Sequence, residues 1–309
     1  MTILITGATG LIGKALTKTY LADKTPVRIV TRAPERAGTM FGSSVTAFAW
    51  TPAKDPVPQA ALEGVQTVFH LMGEPVSGRW TPEKKAQIIA SRVTAAEKLA
   101  AALEGRPVRL ISASSFGIYP GRHGVIYEET APLAPPMTEI QSILQSWERA
   151  ALSASRPPVT HANVVRFGMV CAKDGYPKKL VRLFKRGFGF VAGSGEQIVP
   201  IVDIDDAVGI LRWVASGQAG DGPVNCVSPH TPSFAEVAKI ISRCLGKPVR
   251  FKVPEWLARS ILGGSADYFL LSYNVRPKLA LERGYNFRVT DPERILTHAI
   301  LGNTAALSG

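Results

Sequence analysis

The sequence predicts an α/β protein with a doubly wound parallel sheet and a smaller C-terminal α/β lobe, and three observations support this fold class. Apolar runs of strand length alternate with helical segments through roughly the first half of the 309-residue chain, which is typical of repeated βαβ units. The first run, Ile3 to Ile5, shows no polar alternation, as expected for a strand buried on both faces. Beyond residue 170 the pattern changes, and this change predicts the second lobe.

A glycine-rich turn follows the first strand. Gly7, Gly10 and Gly13 have a G-x-x-G-x-x-G spacing, and a helix from about Leu11 to Tyr20 begins inside the motif. Gly7 allows a sharp turn, Gly10 leaves space for a pyrophosphate, and Gly13 allows close packing of helix on strand. Since the N-terminus of the helix favours phosphate, the turn predicts a Rossmann-type dinucleotide site. A strand-turn-helix that binds nothing is the alternative, and the position of the motif argues against it.

The second strand, predicted over Val27 to Arg32, indicates which dinucleotide is bound. An acidic residue at its end would accept hydrogen bonds from the 2′-hydroxyl of NAD and repel a 2′-phosphate. Thr31 and Arg32 stand there instead, with Arg36 one helical turn further along. Because a guanidinium can pair with a phosphate through two hydrogen bonds, the sequence predicts NADP(H) rather than NAD(H). A solvated surface position is the alternative for Arg32.

Further strands are predicted over Val45 to Trp50 and Val65 to Met72, and a long amphipathic helix over Pro82 to Leu103. Gly73 and Glu74 follow the fourth strand, where glycine again allows the backbone to approach the cofactor closely.

The fifth strand, Val108 to Ser115, ends in hydroxyl side chains that would face the ligand crevice. Ser115 is placed to hydrogen-bond a substrate carbonyl or hydroxyl, and Tyr119 to supply or take a proton. A turn or capping role is the alternative for Ser115.

The second half of the chain completes the sheet and forms the smaller lobe. Its predicted elements are a helix at Thr138 to Ser153, a sixth strand at Val159 to Val170, a basic helix at Lys178 to Arg186, a glycine-bearing loop at Phe190 to Gly195, strands at Ile198 to Ile204, Pro223 to Ser228 and Val249 to Val253, and helices ending at Ala215, starting at Ser233 and Pro254, and spanning Asp291 to Leu301. We expect residues 1–170, joined by 201–228, to form the cofactor domain. Residues 171–200 and 229–309 would then form a substrate lobe and C-terminal extension.

Composition restricts the function classes. Cys171, Cys226 and Cys244 are odd in number and far apart, which fits reduced thiols in a cytoplasm, and no metal-ligand spacing is present. No apolar run reaches membrane-spanning length, and the N-terminus has no signal-peptide pattern. The net charge of +12 is spread along the chain without a nucleic-acid module, so an anionic cofactor and an anionic substrate are favoured over nucleic acid as its explanation.

Motifs along nearly the whole chain resemble the extended short-chain dehydrogenase/reductase superfamily. The closest resemblance is to its atypical branch of epimerase family, or nucleoside-diphosphate-sugar-epimerase-like, proteins, some of which are labelled cell-division inhibitors. The motifs are Ile5 to Gly13, Val30-Thr31-Arg32, Gly73-Glu74-Pro75, Arg79-Trp80, Ser91-Arg92, Trp147-Glu148, Arg166-Phe167-Gly168, Gly193-Ser194-Gly195, Asp203-Ile204-Asp205-Asp206 and Val227-Ser228-Pro229. From Val253-Pro254 to Gly284-Tyr285 the chain resembles the small C-terminal extension of that branch.

The resemblance implies an NADP(H) cofactor and a small polar substrate, sugar-like or anionic. It also implies a homodimer formed through the helices at 82–103 and 138–153. The candidate cofactor-binding residues are Gly7, Thr9, Gly10, Leu11, Ile12, Gly13, Thr31, Arg32, Arg36, Leu71, Gly73 and Glu74.

The superfamily has a catalytic Tyr, with a Lys four residues later that lowers the pKa of the Tyr and holds the nicotinamide ribose. Aligning Glu148 with the Glu that usually follows this Lys by four residues places Ile140 and Leu144 at the two positions, and neither can do the chemistry. Ser115 does match the active-site Ser/Thr of the superfamily. We therefore expect an oxidoreductase or epimerase-like enzyme in which Ser115 polarises a carbonyl and Tyr119, or an ordered water, is the acid.

Two other functions stay open. One is a non-catalytic NADP(H) sensor or regulatory protein, and the other is a pathway-specific imine or alkene reductase. An iminium already carries its proton, so its reduction needs no strong acid. Glu74, Arg79 and Asp203 are further side chains that could reach the crevice.

Overall fold

The computed structural model describes residues 1–76, 78, 80–262 and 266–302. Its strands are β1 (Thr2–Thr6), β2 (Val27–Thr31), β3 (Val45–Ala49), β4 (Val65–His70), β5 (Arg109–Ser115), β6 (Ile126–Tyr127), β7 (His161–Phe167), β8 (Met169–Cys171), β9 (Phe190–Ala192), β10 (Ile201–Asp203), β11 (Gly222–Cys226), β12 (Phe251–Val253) and β13 (Asn274–Val275). Its α-helices are α1 (Leu11–Ala22), α2 (Pro34–Phe41), α3 (Gln59–Leu62), α4 (Pro82–Ile89), α5 (Ala95–Ala102), α6 (Glu139–Leu152), α7 (Lys178–Lys185), α8 (Ile204–Ala215), α9 (Phe234–Leu245), α10 (Glu255–Leu262), α11 (Asp267–Leu270), α12 (Lys278–Glu282) and α13 (Pro292–Leu301).

The central sheet has seven strands in the order β11-β7-β5-β4-β1-β2-β3, and all its neighbours pair in parallel. The chain builds outward from β1 to β3 and then crosses to the other side of β1 for β4 and β5. This reversal opens a crevice beyond the carboxyl ends of β1 and β4, where ligands bind in open α/β sheets. The predicted doubly wound fold is confirmed.

The predicted sixth strand is interrupted, which corrects the sequence-based boundary. β7 ends at Phe167, and after Gly168 the chain pairs as β8 with β10 in a separate two-stranded sheet. A Cβ on Gly168 would lie 2.7 Å from the Pro200 carbonyl oxygen, so the chain leaves the central sheet at a position that only glycine fits. The predicted loop at Phe190 also begins as a strand, β9, which pairs with β12.

The long helix predicted over Pro82 to Leu103 contains an irregularity. α4 and α5 are joined through a π-helical segment, Ala90–Thr94, which the amphipathic spacing did not reveal. Such segments shift the side chains that follow by part of a turn and are frequent at functional sites.

Separate apolar clusters form the interior. One packs β1, β2 and β7 against α1 and α8, and another joins α7, α9 and α13 with their neighbouring short strands. The second cluster uses residues of the segments assigned to the smaller lobe, whose exact division stays a prediction. Within the described ranges, no helix is both long and apolar enough to cross a membrane.

Candidate functional site

The glycine turn after β1 forms one wall of the crevice. Gly7 has φ +70°, and a Cβ on it would lie 2.7 Å from the backbone of Leu71, directly after β4. Both the turn and this close approach therefore require glycine. A Cβ on Gly13 would collide with the Gly7 carbonyl oxygen, whereas one on Gly10 would meet only that oxygen, at 3.3 Å. The face above Gly10 is therefore open, as a pyrophosphate would need, with Thr9 beside it in the same loop.

The N-terminus of α1 faces this open space. Gly10 is its N-cap and makes no side-chain capping bond, and its first turn, which starts with Leu11 and Ile12, contains no acidic residue. The first N–H groups of a helix have no intrahelical acceptor and carry a partial positive charge. The helix end is thus suited to hold an anion.

Thr6 and His70 join β1 to β4 beneath the crevice, and the sequence reading missed both. Thr6 Oγ1 accepts hydrogen bonds from the N–H groups of Leu71 (3.1 Å) and Met72 (3.2 Å). Its own proton is therefore donated to His70 Nδ1 at 3.0 Å, and His70 Nε2–H donates to the Arg92 carbonyl at 3.4 Å. This network requires a neutral imidazole, and burial lowers the pKa of His70 to about 4.

The π-helical segment holds the loop that follows β4. Ser91 Oγ accepts a hydrogen bond from the Glu74 N–H at 2.9 Å, and Arg92 Nη1 donates to the Glu74 carbonyl at 2.8 Å. A Cβ on Gly73 would lie 2.9 Å from the Arg92 guanidinium. In this structure Gly73 therefore makes room for the Arg92 side chain; the close approach of a cofactor at Gly73 stays a prediction.

The charged groups at the end of β2 fit the predicted position for the cofactor ribose. The Arg32 side chain is 68% exposed and lies 3.9 Å from Glu74 Oε2, and Arg36 is exposed on α2. Thr31 Oγ1 accepts the Ala33 N–H at 3.3 Å and so shapes this turn. Because Lys84 Nζ contacts the Glu74 carboxylate at 2.6 Å, the neighbourhood of Arg32 keeps a net positive charge.

Ser115 ends β5 and begins a 3₁₀ turn, Phe116–Ile118. Its Oγ accepts the Gly117 N–H at 3.2 Å, so the capping role that the sequence left as an alternative is present. A hydroxyl that accepts in this way still has its own proton to donate.

Tyr119, expected from the sequence to act as the acid, lies in the core instead. Its side chain is fully buried; its hydroxyl donates to Asn225 Oδ1 at 2.9 Å and accepts from Arg166 Nη1 at 2.8 Å. Burial raises the pKa of Tyr119, against the lowering effect of the Arg166 charge. Because these partners occupy its hydroxyl away from the crevice, we assign Tyr119 a structural role.

The same core holds a buried ion pair. Arg166 binds both carboxylate oxygens of Glu148, at 2.9 and 2.8 Å, and Ser114 Oγ donates to Glu148 at 2.6 Å. Burial alone would lower the pKa of Arg166, but the hydrogen bonds and charge of Glu148 outweigh it and raise that pKa. The pair connects α6 to β7.

The other residues named from the sequence lie on α6, at the start of α8 or outside the described residues. Asp203 is the N-cap of α8 and accepts the Asp205 N–H at 2.8 Å, whereas Arg79 lies outside the described residues. Ile140 and Leu144 both lie on α6, and Leu144 is buried. Within the part of the chain that the structure describes, no three His, Cys, Asp or Glu side chains converge as a metal site.

Comparison with known proteins places these features in context. The model of the NAD dependent epimerase/dehydratase family matches residues 3–226. The chain is 28% identical over 304 residues to the chloroplastic SDR39U1 homolog, an epimerase family protein of Arabidopsis thaliana, covering 93% of this chain and 83% of that protein.

Two solved structures are also similar. The crystal structure of the human epimerase family protein SDR39U1 (isoform 2) with NADPH has a TM-score of 0.83 and 25% identity, covering 97% of this chain and 99% of that one. MoeE5 in complex with UDP-glucuronic acid and NAD has a TM-score of 0.77 and 22% identity, covering 97% of each chain. The second likeness shows the fold alone.

Proposed function

Since this chain belongs to the NAD dependent epimerase/dehydratase family, we propose that it binds NADP(H) in the crevice between β1 and β4 and acts as an oxidoreductase or epimerase-like enzyme on a small polar substrate. The observation that carries the proposal is the pairing of an uncapped helix N-terminus at Gly10 with the exposed guanidinium of Arg32. The first suits a pyrophosphate and the second a 2′-phosphate.

The choice of NADP(H) over NAD(H) depends on Arg32. The structure of human SDR39U1 contains NADPH and that of MoeE5 contains NAD, so the fold alone does not decide between them. Here the Glu74 carboxylate, which would repel a phosphate, is already paired with Lys84. Arg32 and Lys84 together outweigh the one Glu74 carboxylate that both approach, which leaves a net positive charge for the 2′-phosphate.

The chain's own residues have three tasks in the reaction: they hold the cofactor, orient the substrate and move a proton. NADPH, when bound, supplies a hydride. Ser115 lies at the carboxyl end of β5, next to β4, where its hydroxyl can take part in hydrogen bonding to a substrate oxygen.

Cofactor titration tests the proposal. We expect the wild type to bind NADPH at least about tenfold more tightly than NADH, because a charge-assisted hydrogen bond contributes about 1.5–3 kcal/mol. Arg32→Glu should remove that preference, whereas Lys18→Glu, the same charge change at an exposed position of α1, should keep it. Equal affinity of the wild type for NADPH and NADH would contradict NADP(H) specificity, and binding of neither would contradict the proposed function.

A regulatory protein that binds NADP(H) without turnover is the second candidate. It is favoured by the apolar residues Ile140 and Leu144, which the alignment on Glu148 places at the superfamily's Tyr and Lys positions. NADPH carrying deuterium at the transferable position, incubated with the protein and a metabolite extract, separates the two. A metabolite that gains one deuterium supports the reductase, and its absence with NADPH bound favours the regulator or an epimerase that returns its hydride.

A further inference from the structure

A tyrosine from the C-terminal extension lies against the turn that follows Ser115. Tyr268 lies on α11, beyond the residues that the family model matches. Its ring packs edge-on against Phe116 with ring centroids 5.4 Å apart. Its hydroxyl covers Gly117 so closely that a Cβ there would lie 2.7 Å from the hydroxyl oxygen. The hydroxyl is thus held over the turn that Ser115 begins.

This location is beside the position where the superfamily's tyrosine is expected. Ile140, which the alignment on Glu148 places there, lines the same cavity of about 30 Å³ as Tyr268 and Gly117. The cavity has room for a water molecule. α6 has Ile140 at this position and so supplies no hydroxyl, but Tyr268 on α11 places one beside it.

The positive charge of Arg92 acts on this hydroxyl. Arg92, on the π-helical segment, stacks on the Trp147 ring at 5.3 Å, and among the described residues only its Nη1 has a hydrogen-bond acceptor, the Glu74 carbonyl. Burial raises the pKa of Tyr268 overall, although a hydrogen bond with Ser115 and the charge of Arg92 act in the opposite direction. Burial lowers the pKa of Arg92 overall, against the effects of the Tyr268 tyrosinate and the Glu74 carboxylate.

We propose that Tyr268 is the catalytic acid and base of this site and that Arg92 has the electrostatic role of the missing lysine. The inference rests on the proposed function. In a reduction, the Tyr268 hydroxyl gives its proton to the substrate oxygen while the carbonyl carbon receives the hydride of NADPH. The C=O π bond is replaced by one C–H and one O–H bond, leaving NADP⁺ and a tyrosinate beside Arg92. Solvent then returns a proton to Tyr268.

The ionisation of Tyr268 tests the proposal without a known substrate. In protein labelled with ¹³C at tyrosine Cζ, the Tyr268→Phe variant assigns the resonance, which is titrated from pH 7 to 11 with and without saturating NADP⁺. We expect NADP⁺, with its positively charged ring, to lower the Tyr268 pKa by at least about one unit. Arg92→Gln should raise that pKa again. The Tyr273 resonance is the comparator, because Tyr273 packs edge-on against the same Phe116 ring at 4.8 Å.

A Tyr268 pKa that NADP⁺ leaves unchanged while binding is confirmed would overturn the role of Tyr268. If NADP⁺ does not bind the wild type, the proposed function fails and the inference fails with it.

Deuteride transfer gives the second readout. Any labelled product found with the wild type should fall about 100-fold or more with Tyr268→Phe, the range typical of a lost general acid, with NADPH affinity unchanged. Tyr273→Phe, the matched control, should keep the wild-type rate. A Tyr268→Phe variant as fast as wild type would leave reductase activity established and refute the tyrosine as its acid.

Discussion

Protonation of His70 should destabilise the folded protein below neutral pH. The imidazole is fully buried and its Nδ1 must accept the Thr6 hydroxyl proton, so the folded state favours the neutral form and burial lowers the pKa to about 4. In the unfolded chain the pKa returns to about 6.5. Between these values the unfolded chain binds a proton that the folded protein does not, so stability falls as pH falls.

The size of the effect follows from the two pKa values. Above about pH 7.5 His70 contributes almost no pH dependence, because it is then neutral in both states. By pH 5 the linkage amounts to about 2 kcal/mol, and below pH 4 it levels off near about 3 kcal/mol, at about 1.4 kcal/mol per pH unit. This is a large fraction of the stability of a typical domain.

Urea unfolding at pH 8, 7, 6 and 5 measures the effect. His70→Gln should be less stable than wild type at pH 8, because the Thr6 hydroxyl loses its acceptor. Between pH 8 and pH 5 its free energy of unfolding should fall by about 2 kcal/mol less than that of the wild type. His123→Gln, at an exposed loop position, should follow the wild type at every pH. Parallel loss of stability in wild type and His70→Gln would show that His70 titrates normally in the folded protein and would refute the assigned network.

Three further predictions test other parts of the structure. Gly13→Ala should lower NADPH affinity at least about tenfold in a fluorescence titration, because its Cβ would displace the Gly7 carbonyl. Gly38 is at an exposed helical position with nothing within 4 Å of a new Cβ. Gly38→Ala should therefore raise the unfolding free energy by about 0.5–1 kcal/mol. Arg166→Met should cost about 3–5 kcal/mol in urea unfolding at pH 8 by leaving the Glu148 carboxylate buried and unpaired; the double variant with Glu148→Leu should recover most of that loss, and no recovery would contradict the pairing. Thr81→Ala should cost about 0.5–2 kcal/mol in thermal or urea unfolding by removing the N-cap bond to Lys84 N–H, an effect that Thr81→Ser should not show.

The sequence predicted the fold and the phosphate loop because both depend on local patterns. Gly7 and Gly13 have the turn and packing roles that their spacing indicated, since strand, turn and helix are consecutive in the chain; the role of Gly10 at a pyrophosphate stays a prediction. The interruption at Gly168 was missed because its cause, the Pro200 carbonyl, comes from a later segment. The π-helical segment was missed for a different reason: one additional residue in a helical turn leaves the amphipathic pattern of Pro82 to Leu103 almost unchanged.

The choice of the proton donor also depended on contacts between residues that are distant in sequence. Tyr119 follows Ser115 closely in sequence, so local reading selects it, but the turn at Phe116–Ile118 directs it into the core towards Arg166. Tyr268 is distant in sequence and is brought to the turn after Ser115 by the packing of the C-terminal extension on Phe116 and Gly117.

One neutral imidazole connects the two halves of the site. Through Thr6, His70 contacts the strand that carries the phosphate loop, and through the Arg92 carbonyl it contacts the residue beside Tyr268. In a protonated His70 the Nδ1 atom would also carry a proton and would face the Thr6 hydroxyl as a donor. The Thr6 oxygen already accepts two N–H groups, from Leu71 and Met72, so one of those hydrogen bonds would be lost. The hydrogen bonds that hold Leu71 and Met72 against β1 therefore depend on a neutral His70, whose other ring nitrogen contacts the Arg92 carbonyl.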